Sequence, residues 1–96
     1  MVSRNEVNEM TAKAQHYIDK EVTEQVARVS RFIEQKPQMT DEQINMCVKT
    51  SEAYLYGISK ACEEFGLIDF HERNDALKQF REQVQFDPID GVYIIK

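Results

Sequence analysis

Between Met1 and Asp87 the chain contains one proline, Pro37, and two glycines, Gly57 and Gly66. Proline and glycine break helices more strongly than any other residue, so their scarcity leaves long stretches free to run as helix. Pro37 has no N–H to donate and pushes the residue before it out of the α region, which predicts that a first helix ends near Gln35. Gly66 follows Phe65 where a left-handed C-cap belongs, and Leu67 is placed to fold back on the helix it leaves. Asp87-Pro88-Ile89-Asp90-Gly91 is turn chemistry throughout.

Three helix starts answer these stops. Ser3 with Glu6, flanked by Val2 and Val7, reads as a cap with a hydrophobic staple. Thr40 and Gln43 complete a capping box, with Met39 and Ile44 as its staple. Asp69 caps a third helix and Glu72 answers it, although Arg73 stands where the staple wants an apolar residue. The expected fold is all-α, a single domain over 1–96. One long N-terminal helix, about 3–35, packs on a helical hairpin of about 41–65 and 70–85, followed by a short turn and extended tail over 86–96. In that tail Val92-Tyr93-Ile94-Ile95 is β-prone with no evident partner strand, and it is expected to dock on the chain's own helices rather than on another sheet.

The apolar spacing supports the same plan. Val7, Met10, Ala14, Ile18, Val22, Val26, Val29 and Ile33 recur every three or four residues in the first helix. Ile44, Val48, Ser51, Leu55, Ile58, Cys62 and Phe65 alternate by four and three in the second, with Ser51 as the one polar position. Phe70, Leu77, Phe80 and Val84 form the stripe of the third. The second helix extends its apolar arc to Cys47, Tyr54 and Ala61, wider than one neighbour covers, so it is expected to touch two. Ala53, Gly57 and Ala61 recur every four residues, which predicts the close approach of another backbone.

A first helix of roughly 33 residues is a rod near 50 Å, whereas a compact chain of this length has a radius of gyration of about 12–13 Å. The rod must overhang while carrying apolar residues along its whole length. That combination leads to the expectation of a homodimer, with Val22, Val26, Val29, Phe32 and Ile33 in the interface.

Net charge is −5, and residues 3–36 carry six acids and six bases, so the whole deficit follows Pro37. An acidic balance argues against binding to phosphate backbones, which depends on Lys and Arg. No stretch approaches the ~18 apolar residues of a membrane span, and the first residues lack the apolar run of a secretion signal, so a cytoplasmic protein is expected. Cys47 and Cys62 fall in one helix, roughly 22 Å apart, and are read as reduced core thiols.

No Gly-rich phosphate loop, metal-spaced Cys/His cluster or Glu-x-x-His pair occurs, and His16 and His71 fall on different helices. The sequence therefore leads to no expectation of catalysis, metal or cofactor. It supports protein recognition: Tyr56 lies on the polar side of the second helix, with Glu52 and Lys60 one turn away and Lys49 and Glu63 two turns away. Tyr93 in the tail joins them as a candidate contact. Two other readings stand beside this one. One is a small-ligand or nucleotide-sequestering dimer with Tyr17, Tyr54 and Cys47 lining a cleft. The other is a nucleic-acid-binding regulator using Arg4, Lys13, Lys20, Arg28 and Arg31. In size, acidity and lack of catalytic residues the chain is similar to accessory proteins of phages and other mobile elements that bind and block host proteins. An inhibitor or regulator of a larger protein is the expected role.

Overall fold

The computed structural model describes residues 4–35 and 38–96. The chain runs α1 (Arg4–Glu34), α2 (Asp41–Glu64), α3 (Phe70–Gln83), β1 (Val84–Asp87) and β2 (Val92–Ile95). The expected Ser3 cap, the Val2 half of its staple and the Pro37 stop lie outside the described residues.

The caps of the hairpin form as its sequence dictates. Thr40 Oγ1 accepts from the Gln43 N–H at 3.2 Å, and the Gln43 side chain accepts from the Thr40 N–H at 2.9 Å. At the end of α2, Gly66 takes φ +75, the Gly66 N–H donates to Glu63 O and the Leu67 N–H to Cys62 O. Those two bonds satisfy carbonyls that the end of a helix would otherwise leave open. Asp69 then starts α3 by accepting from the Glu72 N–H at 2.8 Å.

The tail departs from the expected plan. Helix three stops at Gln83 rather than 85, and Val84–Asp87 is the partner strand that Val92–Ile95 was expected to lack. The strands are antiparallel, with Val84 opposite Ile95 and Phe86 opposite Tyr93. Val84 lies four residues beyond the buried Phe80 and continues the helical stripe, yet as the first residue of β1 it is buried all the same. Burial of this one side chain is satisfied by either conformation. The turn favours the strand: Asp87 Oδ1 accepts from the Ile89 N–H at 2.9 Å, Asp87 O accepts from the Gly91 N–H at 2.7 Å, and Gly91 takes φ +70. β2 docks on α1 and α2, as expected of the tail.

The three helices pack pairwise, so α2 does touch two neighbours. Ile18, Val22 and Val29 of α1 meet Val48 and Leu55 of α2 and Phe80 of α3, with Ile68 and Val84 closing the core. Phe80 is fully buried, which contributes about 2–3 kcal/mol. Three polar side chains sit among these residues: the Ser51 and Ser59 hydroxyls and Gln25 Oε1 have no hydrogen-bond partner among the described residues.

Two expectations need correcting. Val22, Val26 and Val29 are buried by their own chain, and Phe32 and Ile33 are half-buried against the same core. These five residues face α2, α3 and the hairpin and offer little surface to a second copy. The overhang is real but lies at the other end, because no residue from Arg4 to Lys13 is buried. It contributes to extents of 55 × 20 × 19 Å and a radius of gyration of 15.8 Å. Ala53, Gly57 and Ala61 are exposed, and a Cβ on Gly57 would meet nothing within 4 Å, so among the described residues no backbone packs closely on Gly57.

Candidate protein-binding cleft

The charged ring expected around Tyr56 is largely engaged by α3. Arg73 hydrogen-bonds through Nε to Glu63, and its guanidinium lies 5.5 Å from the Tyr56 ring centroid and 5.0 Å from that of Phe70. The hydrogen bond from Arg73 holds the Glu63 carboxyl below the usual carboxylate range, assisted by Lys60 at 3.4 Å. Glu52 accepts from Arg81 at 3.0 Å. Tyr56 stays exposed, but Glu52 and Glu63 pair with Arg81 and Arg73 of α3, and Lys60 pairs with Glu63 within α2.

Lys49 and Tyr93 come together elsewhere. A cleft of about 390 Å³ opens between the N-terminal half of α2 and the β-hairpin. Ile44, Asn45 and Lys49 line its α2 side, and Phe86, Val92 and Tyr93 line the opposite wall. Asp41, Glu42 and the Gly91 backbone complete the rim. Phe86 is 54% exposed and packs edge-to-face on Tyr93 with centroids 5.3 Å apart. Tyr93 donates its hydroxyl to Asn45 Oδ1 at 3.2 Å, which joins the two walls.

Of the residues of the other two readings, Arg28 and Arg31 share a cleft with Glu24 and Gln25 of the same helix, and Arg4, Lys13 and Lys20 do not line it. Tyr17 and Tyr54 are neighbours on the seam between α1 and α2, where Tyr54 donates to Glu21 Oε2 at 3.1 Å. Both rings are exposed, whereas Cys47 is buried and its thiol is pushed up by that burial, with Arg28 opposing. Among the basic residues of α1, Arg28 lies 5.7 Å from the Phe32 ring centroid. His16 and His71 are exposed on separate helices, and no group of three His, Cys, Asp or Glu side chains among the described residues is arranged to hold a metal ion. No helix among them is long and apolar enough to cross a membrane.

Of the cleft residues, sequence reading picked out Lys49 and Tyr93 as candidate contacts and missed the others, Phe86 and Asn45 among them. The signal for Phe86 was present in the alternation Val84-Gln85-Phe86-Asp87, followed after the four residues 88–91 by the β-prone run Val92–Ile95. Asn45 carried none, since nothing local distinguishes it from any other polar helical residue. Comparison with protein families, curated proteins and solved structures finds no match for this chain.

Proposed function

We propose that this protein is a small protein-binding module that inhibits or regulates a larger partner by engaging it through the cleft between α2 and the β-hairpin. The observation that carries this reading is Phe86, an exposed aromatic residue on the hairpin wall of the cleft, beside Val92 and Tyr93 and bordered by charge. Interfaces have this anatomy: an aromatic anchor at the centre, a polar rim around it. The rim also specifies the partner's chemistry. Asp41 and Glu42 line the cleft and Asp90 lies in the adjoining turn, with Lys49 as the cation among the lining residues. A partner segment carrying Lys or Arg next to an apolar side chain complements that surface.

The test is affinity capture with wild type, Phe86→Ser and Phe65→Ser. Phe65 is exposed at the far end of α2 and serves as the control. A partner retained by wild type and the control but lost by Phe86→Ser, with binding weakened by salt, supports the cleft. Equal capture by all three proteins would dismiss it.

A further inference from the structure

We propose that the cleft between α2 and the β-hairpin takes its partner as an extended strand, added to the free edge of β2 and bearing Lys or Arg; this rests on the reading of that cleft as the binding surface. The Lys96 N–H donates to Gln83 O at 2.8 Å, and the strand register carries that bonded position on to Gln85 with Ile94 and to Asp87 with Val92. Tyr93 and Ile95 hold the alternate positions, where N–H and C=O point away from the paired strand. Neither backbone group of Tyr93 bonds to another element among the described residues. Gly91, Val92 and Tyr93 all line the cleft, although successive strand side chains point to opposite faces. A space bordered by all three therefore follows the edge of β2 as well as the face that carries Phe86 and Tyr93.

Backbone and charge together select the occupant. Exposed strand edges are ordinarily blunted by Lys, Pro or a bulge, yet Val92–Ile95 has neither charge nor proline and pairs with β1 in unbroken register. An edge of that kind binds extended chains through main-chain hydrogen bonds, with alternate side chains supplying specificity. A helix bonds its own backbone internally and would leave the Tyr93 groups unused. Acids flank the edge: Asp41 and Glu42 in the first turn of α2, Asp87 and Asp90 at the hairpin turn. Lys49 is the base among the lining residues, and neither it nor Glu42 forms an ion pair among the described residues. That balance fits a strand with Lys or Arg at alternate positions and an apolar residue between them to reach Phe86.

The test is titration of the full chain, followed by amide resonances, with a blocked five-residue peptide in which lysine alternates with valine. The expected result is a Kd of about 1 mM or lower, slowed hydrogen exchange at the Tyr93 amide, and weaker binding to Phe86→Ser. Two further peptides carry N-methyl groups, one on its valines and the other on its lysines. Alternate residues of a strand aim their N–H groups at opposite edges, so one of the two should bind about fivefold more weakly and the other should match the parent. A peptide with glutamate in place of lysine should not bind. Strand addition is overturned if both methylated peptides match the parent or both weaken alike, and the basic partner is overturned if the glutamate peptide binds equally well. No binding by any peptide also overturns strand addition. The cleft itself is judged separately, by affinity capture with Phe86→Ser, which does not depend on the partner's backbone.

Discussion

Tyr93 and Asn45 are 48 residues apart in sequence, yet the Tyr93 hydroxyl donates to Asn45 Oδ1 at 3.2 Å. This bond fastens the end of the chain to the second turn of α2 and sets the width of the cleft between them. The same ring packs against Phe86, so one side chain both holds the hairpin in place and supports the exposed phenyl.

Tyr93→Phe keeps the ring and removes the hydroxyl, leaving the partly buried Asn45 carbonyl without its partner. The expected loss is about 1 kcal/mol in chemical denaturation. Hydrogen exchange separates this from a general weakening: amides of 84–87 and 92–95 should exchange faster while those of α1 and α2 keep their relative protection. Uniform acceleration throughout the chain would mean that the bond does not act locally on the hairpin.

Gly57 sits mid-helix in α2 with open space where a Cβ would stand. Nothing offsets the entropic cost of glycine in a helix, so Gly57→Ala should stabilise the protein by about 0.5–1 kcal/mol. A loss of stability in urea would instead reveal a close neighbour at this position.

The helices were legible because their ends are written in local chemistry. Thr40, Gly66 and Asp69 make the bonds their types and positions call for, and these depend on residues no more than five apart. The hairpin was less legible because its evidence is ambiguous at Val84, which fits a helical stripe and a strand equally well. The candidate site was harder still. A helical wheel places Tyr56 on an exposed face of one helix but cannot show Arg73 arriving from the next. The same holds for Ala53, Gly57 and Ala61, whose spacing is compatible with a close neighbour but does not supply one. Lys49 and Tyr93 could each be named from sequence, and only the fold-back of the tail makes them parts of one cleft.

Ser51 is fully buried and its hydroxyl finds no partner among the described residues. Folding therefore strips water from this group without replacing the lost hydrogen bonds. Ser51→Ala removes the hydroxyl with almost no change of shape and substitutes a better helix former, so stability should rise by about 1 kcal/mol. A measured loss would show that the hydroxyl is satisfied in solution.

The phenol of Tyr54 is pushed up to about 12 from its ordinary value of 10, first by hydrogen bonding with Tyr17, then by partial burial, then by the Glu21 carboxylate. The folded protein thus holds this proton more tightly than the unfolded chain, and between those two values unfolding releases it. Stability from this group is fully present below pH 10 and declines as pH rises towards 12. Other tyrosines and the lysines also titrate in that range, so the informative quantity is the difference between wild type and Tyr17→Phe combined with Glu21→Gln. The variant should show a shallower alkaline decline in its unfolding midpoint, and the ultraviolet titration of its Tyr54 should move back towards 10. Superimposable alkaline profiles would mean that the Tyr17, Glu21 and Tyr54 side chains do not interact across the seam between α1 and α2 in solution.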